Sequence, residues 1–537
     1  MKKTLLPLIL AAVLVIGILI GNFYAMRHAS FLSTVATSFG GSKNNKIDAL
    51  MQIIDQQYVD DVKADSLAEI IVPMILKQLD PHSAYIPASD LQAVNDELGG
   101  SFSGIGVQFT LQNDTVYVVD VISGGPSERA GLHDGDRIVQ VDDTSFVGKN
   151  VTNERVMKKL RGPKNSVVKL GIVRRGAADM LRFAVTRGEI PVHSVDVSYM
   201  IAPEIGLVSV NKFGANTYNE FLTALAKLQK SGAKKVIVDL RGNAGGYMDA
   251  AINMLNEFLK KDDLIVYVEG KSYKRSNSFA NGYGSCQKMQ IAVLIDEFSG
   301  SASEIFAGAI QDNDRGWIIG RRSFGKGLVQ QQVDFADGSA VRITVARYYT
   351  PSGRCIQKPY ELGKGDDYEH DLWNRYVHGE FFSVDSIHQG DTTVYRTTGG
   401  RVMYGGGGIM PDVFVPRDTV GFSPYFNRLV NGGHIYQFTL RYCELNRVVL
   451  AKYKTLSTLQ PYLESQNLVD QLATYAQQKG VTGSAKDKQF SRTLIQNQII
   501  SYIVRNVLGD NGFFPYINSN DPTVKKAVEV LNSNRKL

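Results

Sequence analysis

From Ile205 onward the chain alternates short apolar runs with longer amphipathic stretches, and this alternation narrows its fold more than any other feature. Gly206–Val210, Lys235–Leu240, Ile291–Ile295 and Trp317–Ile319 read as buried strands rich in Val and Ile. Thr217–Gln229, Gly246–Leu259 and Ala302–Ile310 read as helices between them. Strands that are apolar on both faces and separated by helices argue for βαβ units and a largely parallel sheet with helices packed on it. Pro411–Val415 reads as a strand that returns to this sheet after a polar, irregular excursion over 356–408.

The flanking segments have other textures. Residues 42–98 read as helical, with Ile47, Leu50, Met51, Ile54 and Tyr58 on one stripe and Leu67, Ile70, Ile71 and Met74 on another. Pro73 must start, kink or end a helix there, and Leu79-Asp80-Pro81-His82-Ser83 reads as a turn. From Gly99 the chain breaks into glycine-split β runs, Gly106–Leu111, Val116–Val121, Arg137–Val141, Val167–Val173 and Leu181–Val185, with helices at Ser127–Gly131 and Asn153–Leu160. From about Phe422 it is helical again, and Tyr436, Phe438, Leu440 and Tyr442 suit a core better than an interface. The expected architecture is therefore multidomain α+β and α/β: an N-terminal helical region over 26–98, a β-rich domain over 99–188, an α/β core over 189–420 and a helical domain over 421–537.

Met1-Lys2-Lys3 precede an apolar run from Leu5 to Ile20, the order of a secretory signal. Leu5 to Gly21 lies at the lower limit for spanning a bilayer. The expectation for 1–25 is an uncleaved signal anchor that ties the chain to a membrane, or a signal peptide cut near Ala25; either way the remainder is exported. Composition excludes other classes. With 59 Lys and Arg against 53 Asp and Glu, the +6 net charge is too thin over 537 residues for a dedicated nucleic-acid binder. Three scattered cysteines, Cys286, Cys355 and Cys443, give neither a disulfide framework nor a zinc-ligand spacing. No metal and no cofactor are expected.

Three segments hold candidate chemistry. Ser299-Gly300-Ser301-Ala302-Ser303-Glu304 follows a strand and opens a helix. A serine there sits at the positive end of the helix dipole, among N–H groups able to hold an oxyanion. Ser301-x-x-Glu304 equally matches a plain capping box, so a catalytic reading needs a base. Gly320-Arg321-Arg322-Ser323-Phe324-Gly325-Lys326-Gly327 offers one. It nearly spells a phosphate-binding P-loop and fails at Gly327, where a magnesium-binding hydroxyl belongs. A buried lysine loses proton affinity and can serve a serine as general base. If the following stretch makes a helical turn, the Gln330 amide can orient the Lys326 amine. Asp239-Leu240-Arg241-Gly242-Asn243-Ala244-Gly245-Gly246 closes a strand with glycines that let backbone N–H groups approach a ligand; alone it suits a tight turn as well. None of the eight histidines lies near the Ser301 or Lys326 segments in sequence.

In this order the three segments resemble those of the C-terminal processing peptidases, or tail-specific proteases, exported Ser–Lys endopeptidases with an inserted PDZ domain. The resemblance extends to Leu79–Ser83, to Ser103-Gly104-Ile105-Gly106-Val107, Ala130-Gly131-Leu132 and Leu160-Arg161-Gly162-Pro163, and to Gly408-Ile409-Met410-Pro411-Asp412. It implies Ser301 as nucleophile, Lys326 as base and Gln330 as the residue that orients the lysine. It implies oxyanion donors at the backbone of Ala302 and of a glycine such as Gly245, and acidic support from Glu304 and Asp312. It also implies a PDZ site at Gly104, Ile105, Gly106 and Val107 for the tail of a substrate protein, with an unstructured, apolar C-terminus, and a role for Arg161 in ligand-dependent activation. The location implied is the bacterial cell envelope, on the periplasmic side of the inner membrane if anchored and in the periplasm if cut. Residues 356–408 and 421–537 carry no matching motif; the terminal helices are open to dimerisation, to shielding the site or to an adaptor. The competing reading is a non-catalytic PDZ scaffold of the envelope, against which intact Ser301, Lys326 and Gln330 stand.

Overall fold

The computed structural model describes residues 46–112, 114–387 and 392–533, with Gly17 besides. The apolar segment 5–20, on which the membrane expectation rests, lies outside the described residues, and no helix among those described is long and apolar enough to cross a membrane. The chain divides into two compact units, 1–77 and 78–537. The first contains the helices Lys46–Gln57 and Ala64–Leu76, the latter with Pro73 in its last turn.

The second unit opens with a correction. The stretch 42–98, expected to be helical apart from the turn at Leu79–Ser83, includes the strand Ala84–Ile86 before the helix Ala88–Gly99. Tyr85 and Ile86 pair with Val341 and Ala340, and this tertiary partner has no signature in the local pattern. Next comes an antiparallel sheet of Val107–Gln112, Thr115–Val121, Arg137–Val141, Val167–Val173 and Leu181–Thr186, joined in that order, with Thr144–Ser145 at the side. The helices Pro126–Ala130 and Asn153–Leu160 cover it. Its core gathers Val116, Ile138, Val156, Val168, Ile172 and Val185, all fully buried. Ser101–Gly104 pairs antiparallel with Gly188–Pro191, so the chain enters and leaves this domain side by side, as an insertion requires.

The core is a six-stranded sheet in the order Val195–Ala202, Ile205–Val210, Lys235–Asp239, Gln290–Ile295, Trp317–Gly320, Val413–Phe414. The first pair is antiparallel and the remaining pairs are parallel. The helices Thr217–Lys230, Met248–Asn256 and Ala302–Asp312 bury one face through Phe221, Leu225, Met254, Phe306 and Ile310. The opposite face, with Leu207, Ile237, Leu294 and Ile319, is covered by Val524, Ala527, Val530 and Leu531 of the helix Pro522–Asn532. The last helix thus belongs to the core sheet. A parallel strand buried on both faces needs a cover on each, and the chain's end supplies the second.

A five-stranded antiparallel sheet packs beside the core, with Ala340–Tyr349 between Ala84–Ile86 and Leu264–Glu269, and Leu328–Asp334 paired to it as well. The excursion 356–408 is more ordered than its composition suggests. It holds the helices Gly365–Glu369 and Asp371–Val377 and the hairpin Val394–Arg396 with Val402–Tyr404. Residues 425–516 pack a separate helical core around Leu429, Leu459, Ile495, Ile499 and Ile503. Phe438 and Tyr442 are buried in it, with Tyr436 and Leu440 half-buried.

Candidate active site

Lys235–Asp239, Gln290–Ile295 and Trp317–Gly320 are adjacent and parallel, so their carboxyl ends share one edge of the sheet. The loops beyond such ends are where an open α/β sheet builds its sites, and here they are the three candidate segments. Backbone and hydroxyl bonds tie them together. Asn243 O accepts from Gly300 N–H at 3.0 Å and from Ser303 Oγ at 2.8 Å. Ser299 Oγ donates to Leu240 O at 2.8 Å, and Phe324 N–H donates to Ser299 O at 3.0 Å.

Ser301 caps the helix Ala302–Asp312 with φ 55° and ψ −114°. A positive φ on a serine is sparsely populated and costs on the order of 1–3 kcal/mol, a strain that clusters at functional sites. Two groups hold it there. Glu304, fully buried, completes the capping-box arrangement by accepting Ser301 N–H on Oε2 at 2.9 Å. The same oxygen accepts Lys326 N–H at 2.8 Å. Oε1 accepts Ser323 Oγ at 2.5 Å and Gly325 N–H at 2.7 Å. The buried Tyr348 hydroxyl lies between two carbonyls, Ser301 O at 3.0 Å and Lys326 O, and shares its one proton between them. Both candidate residues are therefore fixed by the same two side chains. Burial pushes the Glu304 carboxyl up to about 7 against the pull of its four donors.

The Lys326 amine donates to Gln330 Oε1 at 3.0 Å. Burial lowers its pKa, and the nearby Arg342 cation lowers it further, while Asp80 and Glu304 oppose both. Gln330 sits in the strand Leu328–Asp334 and not in a helical turn; the expected contact forms with a different backbone. Gln330 Nε2 donates to His82 O, which turns the amide oxygen towards the lysine. Thr344, across the ladder from Gln330, grips the same turn, with Oγ1 donating to Asp80 Oδ1 at 2.9 Å and its N–H donating to Ser83 Oγ at 3.1 Å. A histidine does come close in space. His82 Nε2 lies 2.9 Å from Tyr368 Oη, and burial, reinforced by the Lys326 charge, lowers its pKa to about 4, so it is neutral.

Ala302 is the first helical residue, where an N–H lacks an intrahelical acceptor. Gly245, φ 104°, lies so close that a Cβ there would sit 2.7 Å from Ser301 Cβ and 2.9 Å from Ala302 N. Its N–H donates to Asn243 Oδ1 at 2.9 Å, so as an oxyanion donor it must share or exchange that partner. Asp312 lies at the far end of the helix and pairs with buried Arg354 at 2.7 Å and with Ser352 Oγ at 2.6 Å; it supports the helix, away from Ser301.

In the inserted domain, Gly104 ends a strand, Gly106 has φ 77° and Val107 opens the next strand. Ile105 is 2% exposed and belongs to the domain core. Arg161 stacks over Phe102 at 4.2 Å, next to the paired entry and exit strands. Among the described residues no group of three or more His, Cys, Asp or Glu is arranged to hold a metal ion. Tyr348, Ser323 and His82 escaped a role in the sequence reading. His82 left a signal in the Leu79–Ser83 turn and Ser323 in the Gly320–Gly327 segment; Tyr348 looks like any other strand tyrosine.

Residues 204–369 match peptidase family S41, residues 103–185 match the PDZ domain, and residues 425–509 match a family of unknown function, DUF8443. A probable CtpA-like serine protease of Staphylococcus aureus (strain N315) is 34% identical over 323 residues, 60% of this chain and 63% of the relative. Another, from Staphylococcus haemolyticus, is 34% identical over 325 residues, with the same coverage. The chain thus spans somewhat under two thirds of the length of these curated relatives. The solved photosystem II D1 C-terminal processing protease is 25% identical, covering 70% of this chain and 87% of its own, with a TM-score of 0.37. The chain thus carries a segment of peptidase family S41 and a PDZ domain, and over 60% of its length it is similar to CtpA-like serine proteases.

Proposed function

We propose that the chain is a serine endopeptidase that captures the C-terminal tail of exported proteins on its PDZ domain and cuts them with Ser301 and Lys326. The observation that carries this reading is the double fastening of Ser301 and Lys326 by Glu304 and Tyr348, beside an amine whose pKa burial has lowered. Unprotonated Lys326 takes the Ser301 proton, the alkoxide attacks a peptide carbonyl, and the oxyanion meets the Ala302 N–H and the glycine turn. The protonated lysine then gives its proton to the leaving amine, and water clears the acyl-enzyme. A tail added as a strand to the PDZ sheet holds the rest of the substrate near Ser301 and raises its effective concentration. The exported location suggested by the basic, apolar N-terminus is part of the proposal.

The test incubates the purified protein with a substrate ending in an unstructured apolar tail, beside Ser301→Ala and Lys326→Ala. The expected outcome is cleavage by the parent and a loss of at least roughly 10³-fold in both variants. Equal cleavage by all three sinks the assignment. Binding of the tail without cleavage by the parent favours the scaffold.

A further inference from the structure

We propose that Asp521, at the start of the last helix, is a positioning residue for the oxyanion turn, so that the end of the chain is part of the catalytic unit. The inference rests on the endopeptidase reading above and adds to it a residue 280 positions from the turn in sequence.

Arg241 is the second residue beyond the strand end at Asp239. Its Nε and Nη2 donate to the two Asp239 oxygens at 2.9 and 2.7 Å, while Nη1 donates to Asp521 Oδ2 at 2.7 Å. The guanidinium is thus divided between the strand that ends in the turn and the helix on the far face of the sheet. Its side chain is 19% exposed, and a planar fork held on both sides has little freedom. Asp521 is divided in turn: Oδ1 caps its own helix by accepting Val524 N–H at 2.9 Å, and Oδ2 holds Arg241.

The carboxylate is a fixed point. Its helix is seated on the sheet by Val524, Ala527, Val530 and Leu531, each at most 4% exposed. It is tied at its far end by Lys235 Nζ on Leu531 O at 2.7 Å. Just before it, Asn518 Nδ2 donates to Tyr199 Oη at 3.0 Å. Beyond Arg241 the turn runs to Gly242, whose N–H donates to Asp296 Oδ1 at 2.9 Å. It then reaches Asn243, whose carbonyl holds Gly300 and Ser303 on either side of Ser301 and Ala302. A shift of Arg241 therefore moves the wall against which the nucleophile loop is set. A misplacement of about 1 Å in such a frame costs on the order of 10²-fold in rate.

The test uses the full chain. Asp521→Asn keeps a helix cap of equal quality and removes the charge that fixes Arg241. Per titrated active site, the expected result is a kcat at least about tenfold lower with KM within about twofold and the thermal midpoint unchanged. A peptide boronate, whose tetrahedral oxygen occupies the oxyanion position, should bind at least about tenfold more weakly. Asp521→Ala should show the same kinetic loss and also a lower thermal midpoint, because the cap is gone. Parental kcat and boronate affinity in Asp521→Asn, with Ser301→Ala inactive, overturn the inference alone and leave Asp521 as a structural tie. Cleavage that survives Ser301→Ala overturns the endopeptidase reading and this inference with it.

Discussion

At the scale of single residues the site depends on two buried groups, Glu304, which the capping-box pattern singles out, and Tyr348, which no sequence pattern does. Glu304 accepts the N–H groups of Ser301 and Lys326, and the Tyr348 hydroxyl bonds their carbonyls. The carboxylate also titrates in the working range, which gives the pH profile a definite shape. In the proposed mechanism Lys326 acts only when unprotonated, and burial lowers its pKa, so kcat/KM should rise with pH through that lowered value and level off below the range of an ordinary lysine. Glu304, pushed up to about 7, accepts its four donors as a carboxylate. Protonation below that value withdraws acceptor strength from Ser301, Ser323, Gly325 and Lys326, and activity falls further as pH drops. Rates measured from about pH 5 to about pH 10 should show both inflections. Glu304→Gln should abolish the one near 7 and cost roughly 10²-fold in kcat, because an amide N–H then faces donors where an oxygen accepted them. A profile that keeps both inflections in Glu304→Gln would exclude this role.

At the scale of elements the site is a property of strand ends. Three parallel neighbours deliver the turn at Gly245, the helix start at Ser301 and the loop of Lys326 to one edge. The apolar runs made the strands legible, and glycine made the turn legible, since only a residue without Cβ fits against Ser301 and Ala302. Gly245→Ala should therefore lower kcat by at least about 10²-fold. Its thermal stability should drop by about 1–3 kcal/mol, read by denaturant unfolding. Retained kcat would mean that the turn relaxes without consequence. Gln330 shows where the pattern ran out. Spacing of four suggested a helical turn, yet pairing with Ala340–Tyr349 makes the segment a strand, and the contact survives because the loop at Lys326 bends back towards it. Neighbours distant in sequence overrode the local signal.

At the scale of the whole molecule the C-terminal region is not one appended domain. Most of it folds around its own core, while the helix Pro522–Asn532 closes the second face of the six-stranded sheet. Ala527→Asp places an unpaired carboxylate in the apolar cluster that holds Ile237 and Leu294 and should destabilise the chain by several kcal/mol. Thermal unfolding should show a lower midpoint for the protease core. An unchanged midpoint would show that the helix is dispensable to it.

The sequence by itself determined the parallel core and the inserted β domain, and its motifs singled out Ser301, Lys326 and Gln330 as candidates, because periodicity, glycine placement and short motifs are local and survive in one dimension. Only the tertiary structure decided that Glu304 and Tyr348 fasten both candidate residues, that the His82 carbonyl turns the Gln330 amide, and that Asp521 reaches Arg241. Those contacts join segments tens to hundreds of residues apart. What selects them is burial, which makes an unpaired polar group costly and so forces each to find whichever partner the packed sheet and helices bring within reach.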